Sequence, residues 1–201
     1  MSKPLQPSFS KRVPPGEDRA RAVCDHCGFV DYVNPCIVAG AVVAWSEEGA
    51  PFGPVCVPLE QVKILLCRRA ILPRRGYWTL PAGFMETGET TEAAAMRETM
   101  EEAGARIACD ALLCVYDIPA RSQVQLFRRA RLLDTDFKAG PESLDAVLFA
   151  WADIPWTALA FHSVAWALQA FARTRALEAF APDVTPAVLG WPAEIGAELG
   201  A

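Results

Sequence analysis

The chain has no stretch of about 18 or more consecutive apolar residues, so its sequence gives no membrane-spanning helix. It also has no excess of basic charge. Lys and Arg number 19 against 24 Asp and Glu, a formal net charge of -5. The positive field that non-specific nucleic-acid binding needs is therefore missing, and an anionic ligand must be met by cations gathered locally. The start, Met1 to Arg12, lacks an apolar core of the kind that makes a secretory leader. The cysteines number seven, an odd count, and their positions (24, 27, 36, 56, 67, 109 and 114) do not form a small secreted framework. Free thiols in a reducing cytoplasm are the expectation. What the chain does have is apolar mass: 52% of its 201 residues are hydrophobic, enough for one domain of ordinary size with short extensions.

Residues 1–36 read as an N-terminal arm. It is rich in Pro, Ser and charge as far as residue 23, and it continues into Cys24-x-x-Cys27-Gly28 and Asn34-Pro35. Residues 37–181 read as the main domain and 182–201 as a tail with little pattern. β-branched and apolar runs predict strands at 37–45, 62–67, 106–116, 122–133 and 146–150. Between the first two, Gly49, Pro51, Gly53, Pro54 and Pro58 dictate a loop, and residues 72–83 read as a long ordered loop. The clearest helix is 90–103, rich in Ala and Glu and stopped by Gly104. A second, 161–179, carries Val164, Leu168 and Phe171 on one stripe. Strands and helices that do not alternate strictly predict a mixed α/β sandwich.

The first helix is where the chemistry lies. Glu98 and Glu102 are i and i+4, and Glu98 and Glu101 are i and i+3, so three carboxylates crowd one region of the helix. Like charges this close cost stability unless a cation lies among them, and hard divalent cations take oxygen ligands together with substrate phosphates. Such ions neutralise a diphosphate, orient it and activate a water. Arg97 can pair with Glu101 or reach back to Glu89. Glutamate content alone fits a solvated acidic face equally well. The ordered series Gly83, Glu89, Arg97, Glu98, Glu101, Glu102, Gly104 does not, because seven matches in one register arise by chance about once in 10⁸.

That series resembles the Nudix box, G-x5-E-x7-R-E-U-x-E-E-x-G-U, with U a bulky aliphatic. All seven non-U positions match, while Thr99 and Ala105 stand at the U positions. The resemblance implies a Nudix α/β/α sandwich with a mixed β-sheet. It implies that Glu98, Glu101 and Glu102 bind Mg²⁺ or Mn²⁺ with a carbonyl from Ala82 or Gly83, and that Glu89 and Arg97 form an orienting pair. Further likeness at residues 77–83, 121–124, 140–144 and 154–156 points to a subgroup with FAD and ADP-ribose pyrophosphatases. What this implies is hydrolysis of a nucleoside diphosphate derivative (FAD, ADP-ribose or NADH-like) to a nucleoside monophosphate and a second phosphate product. Two other readings stay open: a non-catalytic Nudix-fold nucleotide sensor, and a house-cleaning pyrophosphatase of nucleoside triphosphates. Family members are often dimers, so a homodimer is expected.

Members of the subgroup usually carry two Cys-x-x-Cys knuckles that bind zinc. Here only Cys24 and Cys27 stand, so a turn with two free thiols is favoured over Zn²⁺. Glu142 is a candidate catalytic base and Asp145 a candidate extra metal ligand; surface loop acids are the alternative for both. Arg68 and Arg69 are candidates for holding phosphates, or else plain surface charge. Trp78 and Phe127 are candidates for stacking a nucleobase, with core packing favoured. His162 is read as a helix-start residue without a catalytic role.

Overall fold

The computed structural model describes residues 7–187. The chain divides into two compact units, Met1–Pro35 and Cys36–Ala201.

In the first unit, β1 (Phe9–Arg12), β2 (Arg21–Cys24) and β3 (Val30–Asp31) form a three-stranded antiparallel sheet. The segment read as an extended arm is therefore folded. Its closing interactions are polar and of long sequence range, so no apolar periodicity announced them. The Ser8 and Ser10 hydroxyls donate to the two oxygens of Asp25 at 2.8 and 2.7 Å. Gly28 sits at φ 74° and closes the Cys24–Cys27 turn by donating its N–H to the Cys24 carbonyl.

The second unit is built on one mixed sheet. Its elements are β4 (Cys36–Trp45), β5 (Lys63–Arg69), β6 (Trp78–Thr79), β7 (Ala82–Phe84), α1 (Thr91–Ala103), β8 (Ile107–Ile118), β9 (Gln123–Leu132), β10 (Ser143–Ala150), α2 (His162–Thr174) and β11 (Asp183–Val184). The strand order is β10-β5-β4-β9-β8-β11, with β6 added to β5 and β7 to β4. The pairs β4–β9 and β8–β11 are parallel and the others antiparallel.

Alternation along the central strands fills both faces. Val42, Ala44, Ile64 and Leu66 join the cluster that takes Val164, Leu168 and Phe171 of α2. Ala41, Val43, Leu65 and Cys67 join the cluster that takes Ala95 and Ala103 of α1. The result is the α/β/α sandwich expected from the sequence.

The Thr90 side chain caps α1 by accepting from the Ala93 N–H at 3.1 Å, and Gly104 ends the helix at φ 60°. The two small box positions pack well. Thr99 is fully buried with its hydroxyl donating to the Ala95 carbonyl at 2.7 Å, and Ala105 is buried as well.

Elsewhere the boundaries move. The loop 72–83 holds two short strands that the Pro and Gly content concealed. Strand β10 begins at Ser143 rather than 146 because a bulge lies between Ser143 and Asp145. Helix α2 ends at Thr174, and Asp183–Val184 adds an edge strand through pairing with Cys114 and Val115, a non-local partnership. The remainder of the tail, 188–201, lies outside the described residues.

Candidate active site

Helix α1 places its carboxylates against β7. Gly83 is required there by contact, since a Cβ on it would lie 2.3 Å from Glu98 Oε2. Glu98 and Glu102, one turn apart, are about 9% and 8% exposed, while Glu101 faces outward. The Ala82 N–H donates to Glu102 Oε2 at 3.1 Å and fixes that carboxylate to the sheet. Burial raises the Glu98 carboxyl above its ordinary value, against the opposing pull of Arg97. It raises that of Glu102 to about 7, with Glu98 adding to the shift.

Arg97 is the hub of the arrangement. Its Nε and Nη2 hold both oxygens of Glu89 at 2.7 and 3.0 Å, and Nη2 also reaches the Phe84 carbonyl at 3.0 Å. Its Nη1 donates to Glu98 at 2.8 Å and Glu101 at 3.1 Å. Both pairings foreseen for Arg97 are thus made together. The Arg97 hydrogen bonds, helped by the Glu86 N–H, pull the Glu89 carboxyl down to about 2. Those same bonds, chiefly to Glu89, hold Arg97 in its charged form.

The loop after β9 completes the wall. Lys138 and Gly140 donate their N–H groups to the Ala103 and Glu102 carbonyls at 3.0 and 2.9 Å, satisfying the open end of α1. This brings Glu142 to the site, where its carbonyl accepts from the Ala70 N–H at 2.8 Å.

These elements enclose a cavity of about 680 Å³. Its floor and acidic wall carry Gly83, Glu86, Glu98, Glu101, Glu102 and Glu142. The lining also carries Arg69, Arg121, Gln123, Gln125 and Phe161, together with Ile71, Leu72 and Pro73.

Besides Glu89, which acts through Arg97, and the two N-terminal cysteines, four sequence candidates lie outside the cavity lining. Strand alternation puts Arg68 and Arg69 on opposite faces, with Arg69 in the row of Leu65 and Cys67. Arg68 instead donates to the Gly76 carbonyl at 3.0 Å. Asp145 lies past the β10 bulge, opposite Arg68, and accepts from the neighbouring Ala146 N–H. Trp78 stands edge-on to Phe149 at 4.8 Å in the core beside α2. Phe127 is buried in the same cluster, and the next two residues of its row, Gln125 and Gln123, reach the cavity instead. His162 opens α2 and is not part of the lining.

Sequence reasoning also passed over Arg121 and Phe161 as site residues. The one signal available was polar Gln at alternate positions before Phe127, since nothing local ties residue 161 to residue 69.

The donor set fits a hard divalent cation. Two buried carboxylates whose ionised forms are penalised by desolvation gain from a cation beside them, and the oxygen-only chemistry suits Mg²⁺ or Mn²⁺. Among the described residues no three His, Cys, Asp or Glu side chains converge as a ligand set, and Glu98 and Glu101 share the Arg97 guanidinium. A structural zinc is a different matter. Residues 1–35 supply only Cys24, Cys27 and His26 as soft donors, and Cys24 is buried while Cys27 is exposed. That set does not make a four-ligand site.

Comparison with known proteins agrees with the geometry. The family model described as NUDIX domain matches residues 52–166, and that described as Nudix N-terminal, a zinc ribbon, matches residues 6–33. The chain is 35% identical over 97 residues to an ADP-ribose pyrophosphatase of Methanocaldococcus jannaschii, spanning 46% of this chain and 57% of the relative. It is 38% identical over 109 residues to the human 8-oxo-dGDP phosphatase NUDT18, spanning 52% of this chain and 33% of the relative. The chain thus covers little more than half of the first curated relative and a third of the second. A crystal structure of a NUDIX hydrolase from Nitrosomonas europaea superposes with a TM-score of 0.77 at 38% identity, covering 92% of this chain and 96% of that one. With the box carboxylates gathered in one cavity and these matches over most of its length, the chain belongs to the Nudix family, with an N-terminal unit of the Nudix zinc-ribbon type.

Proposed function

We propose that the chain hydrolyses the diphosphate linkage of a nucleoside diphosphate derivative of the ADP-ribose, FAD or NADH kind, releasing a nucleoside monophosphate and a second phosphate product. The observation that carries this is the cavity of about 680 Å³ whose one wall is the Glu98, Glu101 and Glu102 group, a volume within the range of nucleotide-sized ligand sites. The ADP-ribose pyrophosphatase relative supports the substrate class.

In this reading Glu98, Glu101 and Glu102, with the Gly83 carbonyl, hold Mg²⁺ or Mn²⁺. When bound, such a cation neutralises the diphosphate and makes a ligated water more acidic. The protein does the rest. Arg97, anchored by Glu89 and Phe84, keeps the carboxylates in register. Glu142, on the loop tied to the end of α1, takes a proton from the attacking water as that water's oxygen bonds to phosphorus and the bridging P–O bond breaks. Asp145, outside the cavity, has no part in it.

A product-resolved assay over ADP-ribose, FAD, NADH, 8-oxo-dGDP and dGTP with Mg²⁺ or Mn²⁺ tests the proposal. Release of AMP from the first group supports it. Turnover of 8-oxo-dGDP or dGTP alone favours the house-cleaning reading, for which NUDT18 is the supporting relative. Saturable nucleotide binding without any turnover favours a sensor. Glu102→Gln lowers kcat by at least about 10²-fold with the fold intact; near-normal turnover refutes the ligand assignment. A homodimer is the expected assembly, checked by light scattering on a sizing column.

A further inference from the structure

Three arginines line the cavity, and one of them is already spent. Arg97 is taken by Glu89, Glu98, Glu101 and the Phe84 carbonyl. Arg69 and Arg121 are different. Both guanidiniums lie over the ring of Phe161, at 5.3 and 5.8 Å from its centroid. Among the described residues neither forms an ion pair, although ten such pairs exist elsewhere. Arg69 is fixed by its Nε, which donates to the Pro73 carbonyl at 2.8 Å and leaves its two Nη groups free of that bond. Two like charges sharing one aromatic ring repel each other, and an anion between them removes that cost. The rest of the lining offers none at hand: Glu102 and Glu142 are close enough to act on Arg69 through space but not to pair with it. A forked guanidinium is also the side chain that matches phosphate geometry.

We propose that Arg69 and Arg121, braced on Phe161, form a phosphate clamp that holds part of the substrate's phosphate chain beside the carboxylate wall. The inference rests on the hydrolase reading for its biological meaning, but the clamp is a binding site in its own right. The cavity then has two kinds of anchor, carboxylates that demand a cation and a guanidinium pair that takes a phosphate oxyanion directly, with Arg69 within electrostatic reach of Glu102 and Glu142. The shared chemistry is a phosphate group, whether the second phosphate of the scissile linkage or a terminal phosphate beyond it.

The test uses the whole chain and inorganic pyrophosphate as probe, titrated calorimetrically in EDTA at low ionic strength, where no metal can bridge. Wild type binds saturably, Arg121→Ala binds roughly 10- to 100-fold more weakly, and Arg121→Lys falls between, because a point charge lacks the fork. Arg131→Ala, which removes an exposed charge from β9, the strand that follows Arg121, binds as wild type does. Failure of wild type to bind, or equal weakening by Arg131→Ala, overturns the clamp. Steady-state kinetics form a second arm. Arg121→Ala raises KM with kcat little changed. A rise for ADP-ribose and dGTP alike places a phosphate of the scissile linkage in the clamp, and a rise for dGTP alone places a terminal phosphate there. An unchanged KM for every substrate that wild type turns over overturns the clamp. Absence of turnover by wild type counts against the hydrolase reading and leaves the pyrophosphate titration to decide the clamp.

Discussion

Replacing Gly140 with Ala probes how the second half of the site is joined to the first. An ideal Cβ at residue 140 would lie 1.7 Å from the Glu101 carbonyl oxygen, 2.9 Å from the Glu101 carbonyl carbon and 3.3 Å from that of Glu102. All three atoms are helix backbone, which cannot swing aside as a side chain can. The loop must retreat by well over an ångström. That movement breaks the bonds from Lys138 and Gly140 to the Ala103 and Glu102 carbonyls. At about 1 kcal/mol for each lost bond and roughly 1–3 kcal/mol for the overpacking, the cost is about 3–5 kcal/mol. For a chain of this size that lowers Tm by roughly 6–20 °C. Glu142, two residues further on, moves with the loop, so kcat falls at least about tenfold at temperatures where the variant is still folded. Thermal melting and steady-state kinetics check both. The control is Gly88→Ala. Gly88 has φ 88° but no atom within 4 Å of an added Cβ, so only the backbone penalty of about 1–2 kcal/mol applies. If Gly140→Ala melts no lower than Gly88→Ala, the loop is not seated on α1 as described.

Other perturbations separate stability from chemistry. Gly83→Ala meets a movable carboxylate 2.3 Å away, so it displaces Glu98, lowers kcat by about 10²-fold or more and shifts Tm only a few degrees; unchanged kcat refutes the close approach. Arg129, 2% exposed, lies over Phe52 and Phe180 and donates to the Thr174 and Leu177 carbonyls, so Arg129→Met lowers unfolding free energy in denaturant titration by about 3 kcal/mol; a loss under about 1 kcal/mol counts against this anchoring. The Glu89 carboxyl lies at about 2 when folded, below its ordinary 4.5, so the stability it gains from Arg97 is present above pH 4.5 and is lost as pH falls towards 2. The gap in stability between wild type and Glu89→Gln is accordingly constant above about pH 5 and closes in acid, as acid titration followed by circular dichroism reads; a gap that widens in acid reverses the assigned sign.

Legibility in the sequence followed the range of the interactions. Helix α1, its Gly104 stop and its carboxylate group were all readable, because i, i+3 and i+4 spacing is local and fixed by helix geometry. The Arg97 hub was half readable: its partners Glu98 and Glu101 are on the same helix, and Glu89 lies just before it. Trp78, Phe127 and Arg68 are candidates by residue type alone, with core packing favoured for the two aromatics; strand alternation and edge-on packing place all three outside the cavity lining. The N-terminal sheet was missed because its Ser8, Ser10 and Asp25 bonds leave no apolar pattern.

The sequence by itself determined the box, the mixed sandwich and the acidic chemistry of one wall, since each depends on the spacing of neighbours along one helix or one strand. Tertiary structure alone decided what joins that wall in one cavity. Arg69 from the end of β5, Arg121 from the turn before β9 and Phe161 from the start of α2 are 52 and 40 residues apart in succession, and only closure of the sheet brings them over one ring. The same is true of Glu142, which reaches the cavity because open carbonyls at the end of α1 need hydrogen-bond donors and the 138–140 backbone supplies them.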